Sequence, residues 1–176
     1  MNLKLKRTPG IYVVGFMGAG KTTVGRHLAH RLGWSFFDTD AEIEAAENIA
    51  IAEIFAARGE PEFRRIETAV IGQHVRSIER GRPAVLSLGG GAFTQPGNRL
   101  LLHNNGFTVW LDCPLETVRH RVAQATHRPL ARDPQAFAAL YQARQDHYRL
   151  ADVHVPISSD DPEITVAAIL AHPLFK

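Results

Sequence analysis

One cysteine, Cys113, stands in a chain of 176 residues, so no disulfide can form within it. That scarcity fits a reducing compartment, and Cys113, at the end of an apolar run, reads as a small half-buried hydrophobe rather than a nucleophile. No stretch approaches the roughly 18 apolar residues of a membrane span. Met1 to Thr8 holds three cations and no apolar core, which argues against a secretory signal. Neither sign of charge dominates, since 20 Lys and Arg face 18 Asp and Glu for a net charge of +2. Nucleic acid and acidic membrane surfaces are therefore not the expected partners. Lysine is sparse and arginine supplies most of the cations, as a generic charged surface or as planar forks for carboxylate and phosphate. The nine histidines form no H-x-E or H-x3-H ligand spacing, and His27 with His30 reads as a solvated helix face. Repeats and low-complexity linkers are also lacking. What remains is ordinary globular composition, 45% apolar and 22% charged, on a length suited to one domain over residues 1–176. A soluble, cytoplasmic protein is expected.

Short β-branched runs alternate with longer helical ones. Ile11–Val14, Ser35–Phe37, Ala84–Leu88, Phe107–Leu111 and Val153–Ile157 read as strands, the last an edge strand because it contains Pro156. Helical spacing covers Lys21–Leu32, stopped by Gly33, then Ala41–Ala46, Ala52–Arg58, Pro61–Val75 and Leu115–Ala123. Asp133-Pro134 supplies an N-cap and first turn for a helix to Tyr148, and Pro162 opens a last helix to Ala171. Residues 124–133 lack any period and contain two arginines. Alternating strands and helices predict an α/β fold of three layers, a parallel sheet covered on both faces.

Gly15-Phe16-Met17-Gly18-Ala19-Gly20-Lys21-Thr22 matches G-x-x-x-x-G-K-[ST] and lies between a predicted strand and helix, where a phosphate cradle must lie. Glycines allow backbone N–H groups to close on one phosphate, and the helix N-terminus adds its dipole. Gly18, Ala19, Gly20, Lys21, Thr22 and Thr23 are the expected nucleotide-binding residues, with Lys21 on the β/γ-phosphates and Thr22 on Mg2+. Motors and switch proteins share this loop but usually end a buried strand on a metal-binding carboxylate. Ala84–Leu88 ends without one, and Asp38, closing the second strand, is the best replacement, which favours a small-molecule kinase.

Three groups suggest the acceptor half of a transfer site. Asp38-Thr39-Asp40 places two carboxylates at a strand end, one for the metal and one to orient an acceptor hydroxyl or take its proton; Asp40 also suits a helix N-cap. Gly89-Gly90-Gly91 gives up packing at a strand end, as a close approach would require, or forms a loose loop. In Phe63-Arg64-Arg65-Ile66-Glu67, Arg64 lies beside the core face, with Glu67 three residues on to hold its guanidinium. That pair suits a substrate carboxylate, or is an ordinary surface ion pair.

The stretches GFMGAGKTTVGRHLA, FFDTD, IFAARGEPEFRRIE, LSLGGGA, RPL and ARQDHY, in this order from about Ile11 to Leu170, resemble the shikimate kinase family. The resemblance implies a nucleoside-monophosphate-kinase-like fold with a five-stranded parallel sheet of order 2-3-1-4-5. It implies ATP-dependent, Mg2+-dependent phosphorylation of the 3-hydroxyl of shikimate, by a monomer. On that basis Asp38 supports Mg2+ and Asp40 binds the shikimate hydroxyls. Arg64 and Arg144 hold the carboxylate, and Gly89, Gly90 and Gly91 supply backbone donors. Arg121 stacks on adenine, and Arg128, within a mobile lid at about 124–133, reaches the transferring phosphate. The chain departs from the family at Asn48 and Ala50, where a Gly and a Ser are usual; Asn48 can still stop a helix, whereas Ala50 cannot cap one. A gluconate or nucleoside-monophosphate kinase, or a non-catalytic sensor of ATP and shikimate, is the competing reading.

Overall fold

The computed structural model describes residues 9–124 and 133–175; Arg128 and nearly all of the expected lid lie outside them. Five parallel strands form one sheet in the order β2-β3-β1-β4-β5: β1 Gly10–Val14, β2 Ser35–Asp38, β3 Ala84–Ser87, β4 Gly106–Asp112 and β5 Val153–Pro156. Each strand called from the sequence is present within a residue or two, and Pro156 does lie on an edge strand, opposite Asp112. No described helix is long and apolar enough to cross a membrane.

The helices are α1 Lys21–Leu32, α2 Thr39–Glu47, α3 Ile51–Arg58, α4 Glu60–Glu79, α5 Pro96–Asn105, α6 Leu115–Gln124, α7 Pro134–Tyr148 and α8 Pro162–Ala171. Their ends follow side-chain chemistry. Gly33 stops α1 at φ 67°, and Asp133 and Asp161 cap α7 and α8 ahead of Pro134 and Pro162. Asn48 takes the left-handed conformation (φ 55°) in which a glycine usually stops a helix. Ala50 supplies no cap, but the Glu53 carboxylate accepts the Ala50 N–H at 3.2 Å, keeping half of a capping box.

The sequence reading leaves residues 92–106 unassigned; a 3-10 turn, Ala92–Thr94, and α5 occupy them. Only Asn98 and Leu102 of α5 are buried, and Asn104 and Asn105 are weak helix formers, so the helical period is faint. Pro96, at its first turn, was the available signal.

Right-handed crossovers decide where ligands can sit. From β1 the chain passes through α1 outward to β2, and from β3 it passes through α5 the other way, to β4. Reversing direction puts α1, packed on α8, on one face and α4, packed on α5, on the other. The ends of the neighbouring strands β1 and β3 therefore part, which opens a crevice at the carboxyl edge of the sheet. Register aligns Val13, Ser87 and Asp38 across three adjacent strands, so the glycine-rich loop, the triglycine turn and Asp38-Thr39-Asp40 all emerge there.

Candidate active site

After β1 the chain turns through Gly15 to Gly20, with φ of 79° at Gly18 and 94° at Gly20, conformations that L side chains rarely adopt. Phe16 anchors the turn: its ring is buried edge-on against Phe137 and Tyr141 of α7. Its carbonyl faces inward and accepts from the Ala19 N–H at 3.2 Å and from Lys21 Nζ at 2.9 Å. The loop thus encircles a space at the head of α1, where unpaired N–H groups and the helix dipole favour an anion. A cleft of about 380 Å³ opens beside it, lined by Gly18 through Thr23 together with Arg121, Ile157 and Asp160. That volume is within the roughly 300–1,000 Å³ of small-molecule sites.

Arg121 stands at the rim of this cleft. It donates to the Gly18 carbonyl at 3.0 Å and to Asp160 Oδ1 at 2.5 Å, and its guanidinium lies 3.6 Å from the sulfur of Cys113. Asp160 is not legible in the sequence, where Ser158-Ser159-Asp160-Asp161 has the composition of an ordinary turn. Cys113 is fully buried rather than half-buried.

Thr22 Oγ1 donates to Asp38 Oδ2 at 2.5 Å, so the phosphate loop and the end of β2 meet at two hard oxygen donors. The other oxygen, Asp38 Oδ1, accepts the N–H groups of Asp40 and Ala41 at 3.1 and 3.2 Å. Asp38 is therefore the N-cap of α2, and Asp40, which the sequence also allowed as a cap, lies inside the first turn with its side chain released for other contacts. One hydroxyl and one carboxylate suit a small oxygen-seeking cation that keeps most of its shell as water and phosphate, as Mg2+ does.

The triglycine turn gathers the other candidates. A methyl on Gly89 would lie 2.5 Å from Asp40 Oδ1 and 2.9 Å from Glu67 Oε1, and one on Gly90 would lie 3.0 Å from Arg144 Nη1. On Gly91 it would overlap the Arg64 guanidinium. Asp40, Arg64 and Arg144, from α2, α4 and α7, thus converge on a turn with no side chains of its own. Arg64 lies over the rings of Phe63 and Phe55, and Arg144 lies over Phe16 of the phosphate loop. Two guanidiniums and a carboxylate arranged in this way can hold a small acid that also bears hydroxyls.

Glu67 holds Arg64, as the spacing suggested, at 2.7 Å, but its complete burial was not legible in the sequence. Burial pushes its carboxyl up from 4.5 to about 7, against the downward pull of Arg64. Between those two values the folded protein binds more protons at Glu67 than the unfolded chain does, so stability from this group falls as pH rises. The urea midpoint of the protein should accordingly decline relative to that of a Glu67→Gln variant from pH 4.5 to about 7. A difference that stays constant over that range would mean that Glu67 titrates alike in the folded and unfolded chain.

Of the residues expected from the sequence, Gly18, Ala19, Gly20, Lys21, Thr22, Thr23 and Arg121 line one cleft. Asp40, Arg64, Arg144, Gly89, Gly90 and Gly91 form the neighbouring group, with Asp38 at the junction. Only Arg128 lies outside the described residues.

The family model for shikimate kinase matches residues 17–172. The shikimate kinase of Cereibacter sphaeroides is 46% identical over 155 residues, covering 86% of this chain and 75% of its own. That of Geobacter metallireducens is 41% identical over 165 residues, covering 92% and 90%. The structure of the Acinetobacter baumannii shikimate kinase in complex with shikimate superposes with a TM-score of 0.84 at 38% identity, over 92% of this chain and 90% of that one. With a phosphate loop at the head of α1 and this breadth of similarity along the sequence, the chain belongs to the shikimate kinase family.

Proposed function

We propose that this protein, acting as a single kinase domain, transfers the γ-phosphoryl group of ATP to the 3-hydroxyl of shikimate. One observation carries the acceptor reading: Arg64, Arg144 and Asp40 converge on a turn without side chains, one strand away from the phosphate loop. ATP would lie in the cleft beside Lys21, its base near Arg121 at the rim. Shikimate would lie over Gly89–Gly91, its carboxylate on the Arg64 and Arg144 forks and its hydroxyls toward Asp40.

Held by Thr22 and Asp38, Mg2+ would neutralise charge on the β- and γ-phosphate oxygens. The protein does little covalent chemistry in such a reaction; its contribution is positioning and charge. Lys21 meets charge that develops on the phosphoryl oxygens, and Asp40 aligns the attacking hydroxyl and accepts its proton or its hydrogen bond. Arg128 is proposed as a further cation on the transferring group. A monomer acting in the cytoplasm belongs to the same proposal, and a free, buried Cys113 is compatible with it.

The test is ADP release with Mg·ATP and shikimate, quinate, gluconate or AMP offered separately. Release with shikimate alone is expected. Release only with another acceptor would keep the nucleotide reading and overturn the roles of Arg64 and Arg144. Binding of shikimate without release from any acceptor would turn the reading to a ligand sensor.

A further inference from the structure

Tyr148 takes no part in the chemistry above, yet it is fully buried directly beneath the triglycine turn. It follows Arg144 by one turn of α7, so both side chains leave the same face of the helix. Its phenol O–H donates to the Gly90 carbonyl at 2.6 Å, and the Arg144 guanidinium lies close enough to the phenol to draw its titration down. Burial pushes the phenol up to about 12, so it stays a donor throughout the neutral range. Its ring lies against Trp110 of β4, which fixes the height of the hydroxyl.

The remaining carbonyls of the turn are also engaged. The Gly89 carbonyl accepts from the Ala92 N–H, and that of Gly91 accepts from the N–H and hydroxyl of Thr94. None of the three glycine N–H groups donates in these turn bonds. The described peptide bonds are all trans, so the C=O of Gly90 and the N–H of Gly91 point in opposite directions from one rigid plane. Pinning the carbonyl down on Tyr148 therefore turns the Gly91 N–H away from it.

We propose that Tyr148 is a positioning residue of the acceptor pocket, holding the Gly90–Gly91 peptide so that its N–H faces the bound acid and holding Arg144 for the same ligand. This rests on the acceptor reading of the site given above. Removing the hydroxyl leaves a buried carbonyl without its donor and takes a polar neighbour from Arg144.

The decisive variant is Tyr148→Phe, with Arg64→Ala measured alongside. Tyr148→Phe should raise the shikimate KM by roughly tenfold or more, leave the ATP KM unchanged, and weaken shikimate Kd in a calorimetric titration without ATP by the same factor. The titration stoichiometry counts the folded fraction, so a loss of stability cannot imitate the affinity change. If Tyr148→Phe only lowers the melting temperature while Arg64→Ala raises the shikimate KM, Tyr148 merely packs, and the proposal fails although the acceptor pocket stands. If Arg64→Ala leaves the shikimate KM unchanged, the acceptor reading itself falls and takes this inference with it.

Discussion

Lys21→Ala should fold normally, bind shikimate normally and lose kcat by roughly a hundredfold or more, comparable to removing one preorganised donor from an anion site. The side chain lies at the first position of α1 and reaches back over the loop to the Phe16 carbonyl. That carbonyl also accepts from the Ala19 N–H, so it keeps a partner when the lysine is removed. In the proposed reaction the worth of the ammonium lies in opposing charge that grows on the phosphoryl oxygens. Steady-state kinetics, a melting curve and a shikimate titration on one preparation separate these effects. A kcat within about tenfold of the parent would remove Lys21 from the charge-stabilising role.

Arg64→Ala should raise the shikimate KM by roughly a hundredfold and leave the ATP KM nearly intact, because a charge-assisted fork to a carboxylate contributes about twice a neutral hydrogen bond. Equal losses for both substrates would take Arg64 out of the acceptor site. The same substitution leaves Glu67 buried without its ion-pair partner. A buried carboxyl relieved of a positive neighbour takes up a proton more readily, so the Glu67 carboxyl in the variant lies above its already raised position. The variant's loss of stability should therefore be small in acid and deepen as pH rises. Urea melts at several pH values read this directly, and a loss independent of pH would mean that Arg64 does not compensate Glu67.

Local chemistry explains why the architecture and much of the site could be read from the chain. Gly33, Asp133-Pro134 and Pro162 terminate or start helices through their own backbones, and each acts where it stands in the sequence. The phosphate loop is likewise contiguous, so its spacing alone predicts the cradle. Glu67 is different: three residues from Arg64 it announces an ion pair, but its burial depends on the triglycine turn and α2, brought in from elsewhere in the chain. Asp160 and Tyr148 were silent for the same reason. Each makes a contact 39 or 58 residues away, across a loop or beneath a turn, and no periodic pattern encodes that. Asp38 and Asp40 were both visible, yet which of them capped the helix depended on where the chain leaves the extended conformation, which it does just after Asp38.

Ile43, Ile54 and Phe63 form a small apolar cluster of their own, apart from the core around the sheet, and Arg64 lies against its Phe63 and Phe55 rings. Helix α4 crosses from this cluster into the main core, where its later residues Ile71, Val75 and Ile78 are buried. Cooperative units of folding tend to follow such divisions. Helices α2, α3 and the start of α4, which carry the proposed acceptor residues, are therefore expected to form a unit of stability distinct from the sheet and the phosphate loop, with α4 running through both. A ligand bridging Arg64 to the triglycine turn would join the two units into one, coupling acceptor binding to the local order of α2, α3 and the first turns of α4.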